Sequence, residues 1–235
     1  VKIVTGHQPG YLPWIGLFHK ISLADTFVFM DDVQYVNQDW HNRNRIKGPK
    51  GPFWLTVPVN GKTSSSRLLK DILIDQGEWG SSRQWQMLHW RSLETCYRGA
   101  KYWDRYAPFF DRLYNAKPWK WLVELCEEVT HFILQELDIR IEFIRASEYG
   151  FSGSKSDLVL DHCLKLESDL CVFGQLGRDY VQEDDFIRNS ISVYYQNYLH
   201  PTYEQRFGEF VSNMSTVDLL FNCGPLGREI LTSDN

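Results

Sequence analysis

The 235-residue chain carries only five cysteines, Cys96, Cys126, Cys163, Cys171 and Cys223, and no two of them form a Cys-x-x-Cys pair. An odd, scattered set argues against a disulfide framework or a thiolate zinc site, and predicts reduced, buried thiols. No run approaches the roughly 20 apolar residues that cross a bilayer, and no charged-then-apolar leader opens the chain, so a cytoplasmic protein with no membrane partner is expected. No pair of histidines has His-x-x-x-His spacing, so no metal site is assigned. Without a Gly-x-Ser-x-Gly elbow, serine hydrolysis is disfavoured. Internal repeats and low-complexity segments are absent too.

The most telling shortage is local. From His41 to Lys70 there is no Asp or Glu, while Arg43, Arg45, Lys47, Lys50, Lys62, Arg67 and Lys70 supply seven positive charges, leaving −12 on the rest of a chain whose net charge is −5. One basic segment on an acidic protein concentrates a small anion at one place, and a phosphorylated small molecule suits it better than a nucleic acid.

What is present fits one α/β domain over residues 1–235: 43 % of residues are hydrophobic and 23 % charged. Nine tryptophans exceed ordinary packing needs, and stacking on a ligand competes with core filling as their use. Val1–Thr5 reads as a strand, Leu12–Ala24 as loop and helix, and Thr26–Met30 as a second strand, a β-α-β opening. Residues 53–59 and 71–74 suggest an antiparallel excursion on either side of Asn60-Gly61, with Ser64–Ser66 as a lid. Helical spacing over about 79–137 predicts a three-helix insertion broken near Gly99 and Pro118. Strands at Ile139–Arg145, Asp169–Phe173 and Ile191–Tyr195, a helix over Ser154–Leu166 and a Ser215–Asp218 capping box before a last helix complete a Rossmann-like, mostly parallel sheet.

Candidate site residues cluster at strand ends, where open α/β sheets bind ligands. His7, after the first strand, suits a general base or a phosphate contact, or else caps a turn; Gln8, Tyr11 and Trp14 share its glycine-rich loop, and the following helix offers free N–H groups. Asp31 and Asp32 suit proton acceptance or a metal, or simply a solvated turn, with Gln34 close behind. In Trp40–Lys47, Arg43 and Arg45 are two residues apart, so in an extended segment both guanidinium groups point to one side and can grip a diphosphate beside Asn42, Asn44 and Lys47. Gly174 and Tyr180 follow another strand, and His200 with Tyr203 could orient a substrate or pack a loop. His89, His131 and His162 fall in helical patterns and read as structural.

Gly6-His7-Gln8-Pro9-Gly10-Tyr11-Leu12-Pro13-Trp14-Ile15-Gly16, Asp31-Asp32-Val33-Gln34-Tyr35, Trp40–Lys47, His200–Gln205 and Phe207–Gly224 strongly resemble the WbqC-like family. The resemblance spans nearly the whole chain and implies a setting among bacterial surface-polysaccharide genes, such as those of lipopolysaccharide O-antigen. Thr5–Gly10 is also similar to the opening of the bacillithiol cysteine-adding enzymes, which form an amide on an amino sugar. The implied function is a transferase that places an acyl or aminoacyl group, glycyl for instance, on the amine of a nucleotide-linked amino sugar, with no nucleic acid involved unless the donor is an aminoacyl-tRNA. His7, Asp31 or Asp32 would be the base. The sequence assigns no cofactor. The alternatives are a nucleotidyltransferase, whose phosphate loop Gln8-Pro9 resembles although His19 falls three residues beyond Gly16, and a non-catalytic sugar-nucleotide binding protein.

Overall fold

The computed structural model describes residues 1–60, 67–75 and 84–233. Five short strands form one parallel sheet: β1 (Ile3–His7), β2 (Thr26–Phe29), β5 (Glu142–Arg145), β6 (Leu170–Phe173) and β7 (Ser192–Tyr195), in the order β5-β2-β1-β6-β7. Parallel strands need crossovers that cover both faces, which is why β2 is buried along its whole length. Alternation along β2 divides that burial. Phe27 and Phe29 enter the larger core with Ile15, Phe18 and Ile21 of α1 (Ile15–Ser22), while Val28 joins Val4, Val159 and Cys163 in a smaller core on the other face. The result is the Rossmann-like arrangement read from the sequence.

A long insertion separates β2 from β5. It contains an antiparallel hairpin, β3 (Arg43–Gly48) with β4 (Gly51–Thr56), and the helices α2 (Gln84–Tyr97), α3 (Trp103–Asn115) and α4 (Leu122–Glu136). The expected excursion is thus paired differently: β4 takes the basic segment as its partner, and residues 71–74 contribute only bridges such as Val59↔Ile74 and Leu73↔Trp121. The turn explains the choice. Gly48 pairs with Gly51, and Gly51 has φ +105°, a value only glycine holds without strain, so Pro49-Lys50 closes a two-residue hairpin. The suggested lid at Ser64–Ser66 lies outside the described residues.

The chain then runs through α5 (Ala146–Tyr149), α6 (Ser156–Lys165) and α7 (Glu183–Arg188), and ends in α8 (Thr216–Cys223) and α9 (Gly227–Thr232). Ser215 caps α8 through Val217 N–H at 3.2 Å, but Asp218 does not return to the Ser215 amide as a capping box requires. The Ser215 amide donates to the Arg45 carbonyl at 2.9 Å, and buried Asp218 accepts from Tyr97 and Tyr203 hydroxyls at 2.8 and 3.0 Å. All five cysteines are free and buried, and among the described residues no helix is long and apolar enough to cross a membrane.

Candidate functional site

Strand order fixes where polar groups gather. Building outward from β1, the chain first adds β2 and β5 on one side and then β6 and β7 on the other, so the direction reverses between β1 and β6. Open α/β sheets bind ligands at the carboxyl ends beside such a reversal. His7 ends β1 at that edge, and Asp31-Asp32, Gly174 and the segment Gln196–His200 follow strands there.

His7 is partly buried, and its Nδ1 lies 2.7 Å from the Gln8 carbonyl. Because a carbonyl only accepts, Nδ1 carries the proton and Nε2 keeps its lone pair. Burial, with the charge of Lys20 and the neighbouring His41, lowers the His7 pKa to about 3, so the ring is neutral at neutral pH. Asp31 and Asp32 separate in role. Asp31 is buried, and both its oxygens are occupied, one by the Ser147 amide at 2.8 Å and the other by the Ser147 hydroxyl at 2.6 Å. Asp32 is half-buried with Oδ1 lacking a hydrogen-bond partner, and burial together with the Asp31 charge raises its pKa. Gln34, exposed, sits where the chain bridges to Leu68.

The hairpin is fastened to the first loop. Tyr11 N–H donates to the Trp40 carbonyl at 3.2 Å, His41 Nδ1 lies 2.9 Å from the Pro9 carbonyl, and Asn44 Nδ2 donates to the Leu12 carbonyl at 2.6 Å. Beyond these ties the side chains form a platform: the Trp40 and Trp54 rings are 5.1 Å apart, and the guanidinium carbons of Arg43 and Arg45 lie 4.5 and 5.7 Å from the Trp54 ring centre. Both arginines therefore share one face of β3, as their spacing requires. Arg43 donates to the Gln38 carbonyl, and Nε of each arginine has no hydrogen-bond partner. Asn44 between them, and Asn42 and Lys47 on either side, are buried. Asn42 donates to the Val57 carbonyl at 2.8 Å, and buried Lys47 donates to the Glu209 carbonyl.

Other sequence-selected residues are packed into the fold. Tyr11 is fully buried, its hydroxyl 2.8 Å from His89 Nδ1 and in contact with the Tyr114 hydroxyl. Tyr203 is buried on Asp218. His200 has both nitrogens engaged, Nδ1 at the Pro201 carbonyl (2.9 Å) and Nε2 accepting from Asn213 N–H (3.1 Å), which fixes a neutral tautomer. Trp14 covers Gly16 so closely that a Cβ there would meet the indole at 2.2 Å. With Ile15, Gly16 and Leu17 buried and Thr216 donating to the Pro13 carbonyl, the N-terminus of α1 is closed by protein, and the expectation that it offers free N–H groups to a ligand does not hold. Gly174 opens the turn after β6 with nothing near its Cβ position, and Tyr180 beyond it is exposed.

Sequence reading passed over three residues here. Trp54 stands as one position of an alternating strand, and His41 within the Trp40–Lys47 motif and Lys20 within the first helix receive no role of their own. Lys20 is in fact buried, with Nζ 2.9 Å from the Gly6 carbonyl.

A parallel sheet with its polar groups at the carboxyl edge and a cationic aromatic platform tied to its first loop defines a Rossmann-like α/β protein with its candidate site at that edge. Residues 8–230 match the WbqC-like protein family, and the chain belongs to it. An uncharacterized protein of Mycobacterium tuberculosis, Rv1507c, is 33 % identical over 225 residues, covering 95 % of each chain. No solved structure matches.

Proposed function

We propose that the protein is a transferase that forms an amide, moving an acyl or aminoacyl group, glycyl for instance, onto the amine of a nucleotide-linked amino sugar in surface-polysaccharide assembly. The observation that carries this reading is the Trp40–Trp54 platform with Arg43 and Arg45 beside it, fastened to the first loop. Two guanidinium groups on one face supply paired donors for a diphosphate, and the indole faces supply a stacking surface for the base. The polysaccharide setting is the one the family resemblance implies.

An ammonium must lose its proton before nitrogen can attack. Asp32 is the better acceptor: its buried Oδ1 has no hydrogen-bond partner, and its raised pKa strengthens it as a base, whereas Asp31 is occupied by Ser147. His7, a weak base at a pKa of about 3, serves as a neutral hydrogen-bond acceptor that orients the nucleophile. In the step itself Asp32 takes the first ammonium proton, the amine nitrogen bonds to the acyl carbon, and the donor's leaving group departs with its bonding pair and takes up the second nitrogen proton. Backbone N–H groups of the loop after β1 stabilise the tetrahedral oxyanion.

Mass spectrometry of a nucleotide-linked amino sugar incubated with acyl donors tests the reading. It requires an adduct on the amine with the wild type and a strongly reduced yield with Asp32→Asn. Full activity in both His7→Ala and Asp32→Asn would remove the assignment. Metal-dependent pyrophosphate release would replace it with nucleotidyl transfer.

A further inference from the structure

The β1–β6 ladder stops early. Its last paired residues are Thr5 and Val172, and the Thr5 hydroxyl closes on the Val172 carbonyl at 2.8 Å. In a parallel strand, alternate residues present their N–H and C=O to the same neighbour. The Lys2 carbonyl accepts from Asp169 and Leu170 amides on the β6 side, so Val4 and Gly6 face that side as well. At Gly6 the sheet partner has gone, and the carbonyl accepts from Lys20 Nζ at 2.9 Å instead. The ammonium thus marks the opening between β1 and β6, the point where the strand order reverses.

A buried cation ordinarily has a carboxylate beside it, because the transfer of an unpaired charge out of water is expensive. Lys20 has none against it among the described residues. The titratable groups around it are Cys171 and His7, and burial lowers its pKa to about 8. On the same side of the first loop stands His41, which is buried, with Nε2 lacking a hydrogen-bond partner and Asp39 no nearer than 3.9 Å. Its charge, when present, acts on His7. Lys20 thus stands at the carboxyl end of β1 beside His7, with no carboxylate against it among the described residues.

We infer that the opening between β1 and β6 is a binding site for a small oxyanion, phosphoryl or carboxylate, held by the Lys20 ammonium. The inference rests on Lys20 and not on the Arg43–Arg45 platform or on the transfer reading. An oxyanion there supplies the counter-charge that the fold withholds, and the lysine gives up the Gly6 carbonyl for a stronger, charge-assisted bond.

Thermal unfolding with inorganic phosphate or acetate tests this on the wild type, Lys20→Met and Arg43→Ala/Arg45→Ala. A saturable rise in the wild-type midpoint is expected, retained in the arginine variant and lost in Lys20→Met. A rise with phosphate alone assigns a phosphoryl group, and one with acetate alone assigns a carboxylate. Should Lys20→Met not fold, NMR titration of the Lys20 side chain in the wild type decides: saturating anion must move its pKa upward. The inference is overturned if neither anion raises the wild-type midpoint, if Lys20→Met keeps the rise, or if the Lys20 titration is unchanged by anion.

Discussion

The Tyr11 amide donates to the Trp40 carbonyl at 3.2 Å, and this bond joins the loop that follows β1 to the strand that carries the arginines. Tyr11 can hold that position because its own hydroxyl is fixed in the core by His89 and Tyr114. The same side chain that looked like a ligand contact in the sequence is the anchor by which two ligand-facing segments keep their spacing.

Replacing Tyr11 by Phe is expected to leave His89 Nδ1 and the Tyr114 hydroxyl without their shared partner. Burying unsatisfied polar groups costs about 1–3 kcal/mol each. Urea unfolding should show a loss of that order, with binding weakened through the displaced Trp40. An unchanged midpoint would show that the anchor is not needed.

The two aspartates should respond differently. Asp31→Asn leaves one oxygen to serve two Ser147 donors and weakens the turn into α5, with a loss of about 1–3 kcal/mol in a denaturant series. Asp32→Asn touches no such bond at Oδ1 and should unfold like the wild type while lowering amide formation. Equal stability losses in the two variants would contradict the division of roles.

Gly16→Ala tests the closure of the α1 N-terminus. The added Cβ would stand 2.2 Å from the Trp14 ring, so the indole must leave its place. Overpacking of this kind costs about 1–3 kcal/mol. A crystal structure or indole fluorescence of the variant should show Trp14 displaced from Tyr198, whose ring centre it now approaches to 5.7 Å. An unmoved indole would refute the account.

Acid should destabilise the fold through its buried histidines. Burial lowers the pKa of His7 to about 3 and of His89 and His162 to about 4, from an ordinary 6.5. Between those values the unfolded chain binds protons that the folded one refuses, so these groups' neutral-pH contribution is intact above pH 6.5 and is lost as pH falls toward 4 and then 3. His162, with neither nitrogen hydrogen-bonded, is the cleanest probe. In His162→Leu the fall in unfolding midpoint between pH 6.5 and 4 should be shallower than in the wild type. A parallel fall in both proteins would rule out this origin.

Much of this architecture is legible in the sequence. Strands β1, β2 and β6 are short apolar runs bounded by turn residues, and their parallel pairing leaves that signal undisturbed. The hairpin was misjudged because the apolar pattern of residues 53–59 was matched to the apolar 71–74, while the Gly48–Gly51 turn that selects the polar β3 was overlooked. Side-chain roles were harder. Tyr11 and Tyr203 are buried by partners 78 and 15 residues away, and nothing in their local sequence distinguishes a core hydroxyl from a ligand contact. Lys20 failed in the opposite direction, since a lysine on a surface-length helix reads as solvated until the sheet opening behind it is known.

The most direct test of the central claim is isothermal titration of nucleotide-linked amino sugars into the wild type and the Arg43→Ala/Arg45→Ala variant. Each charged hydrogen bond is worth about 1.5–3 kcal/mol, so the account predicts saturable binding of at least one such sugar and a loss of roughly tenfold or more in the variant. Binding that survives the double substitution unchanged, or no binding of any nucleotide-linked amino sugar, would contradict it.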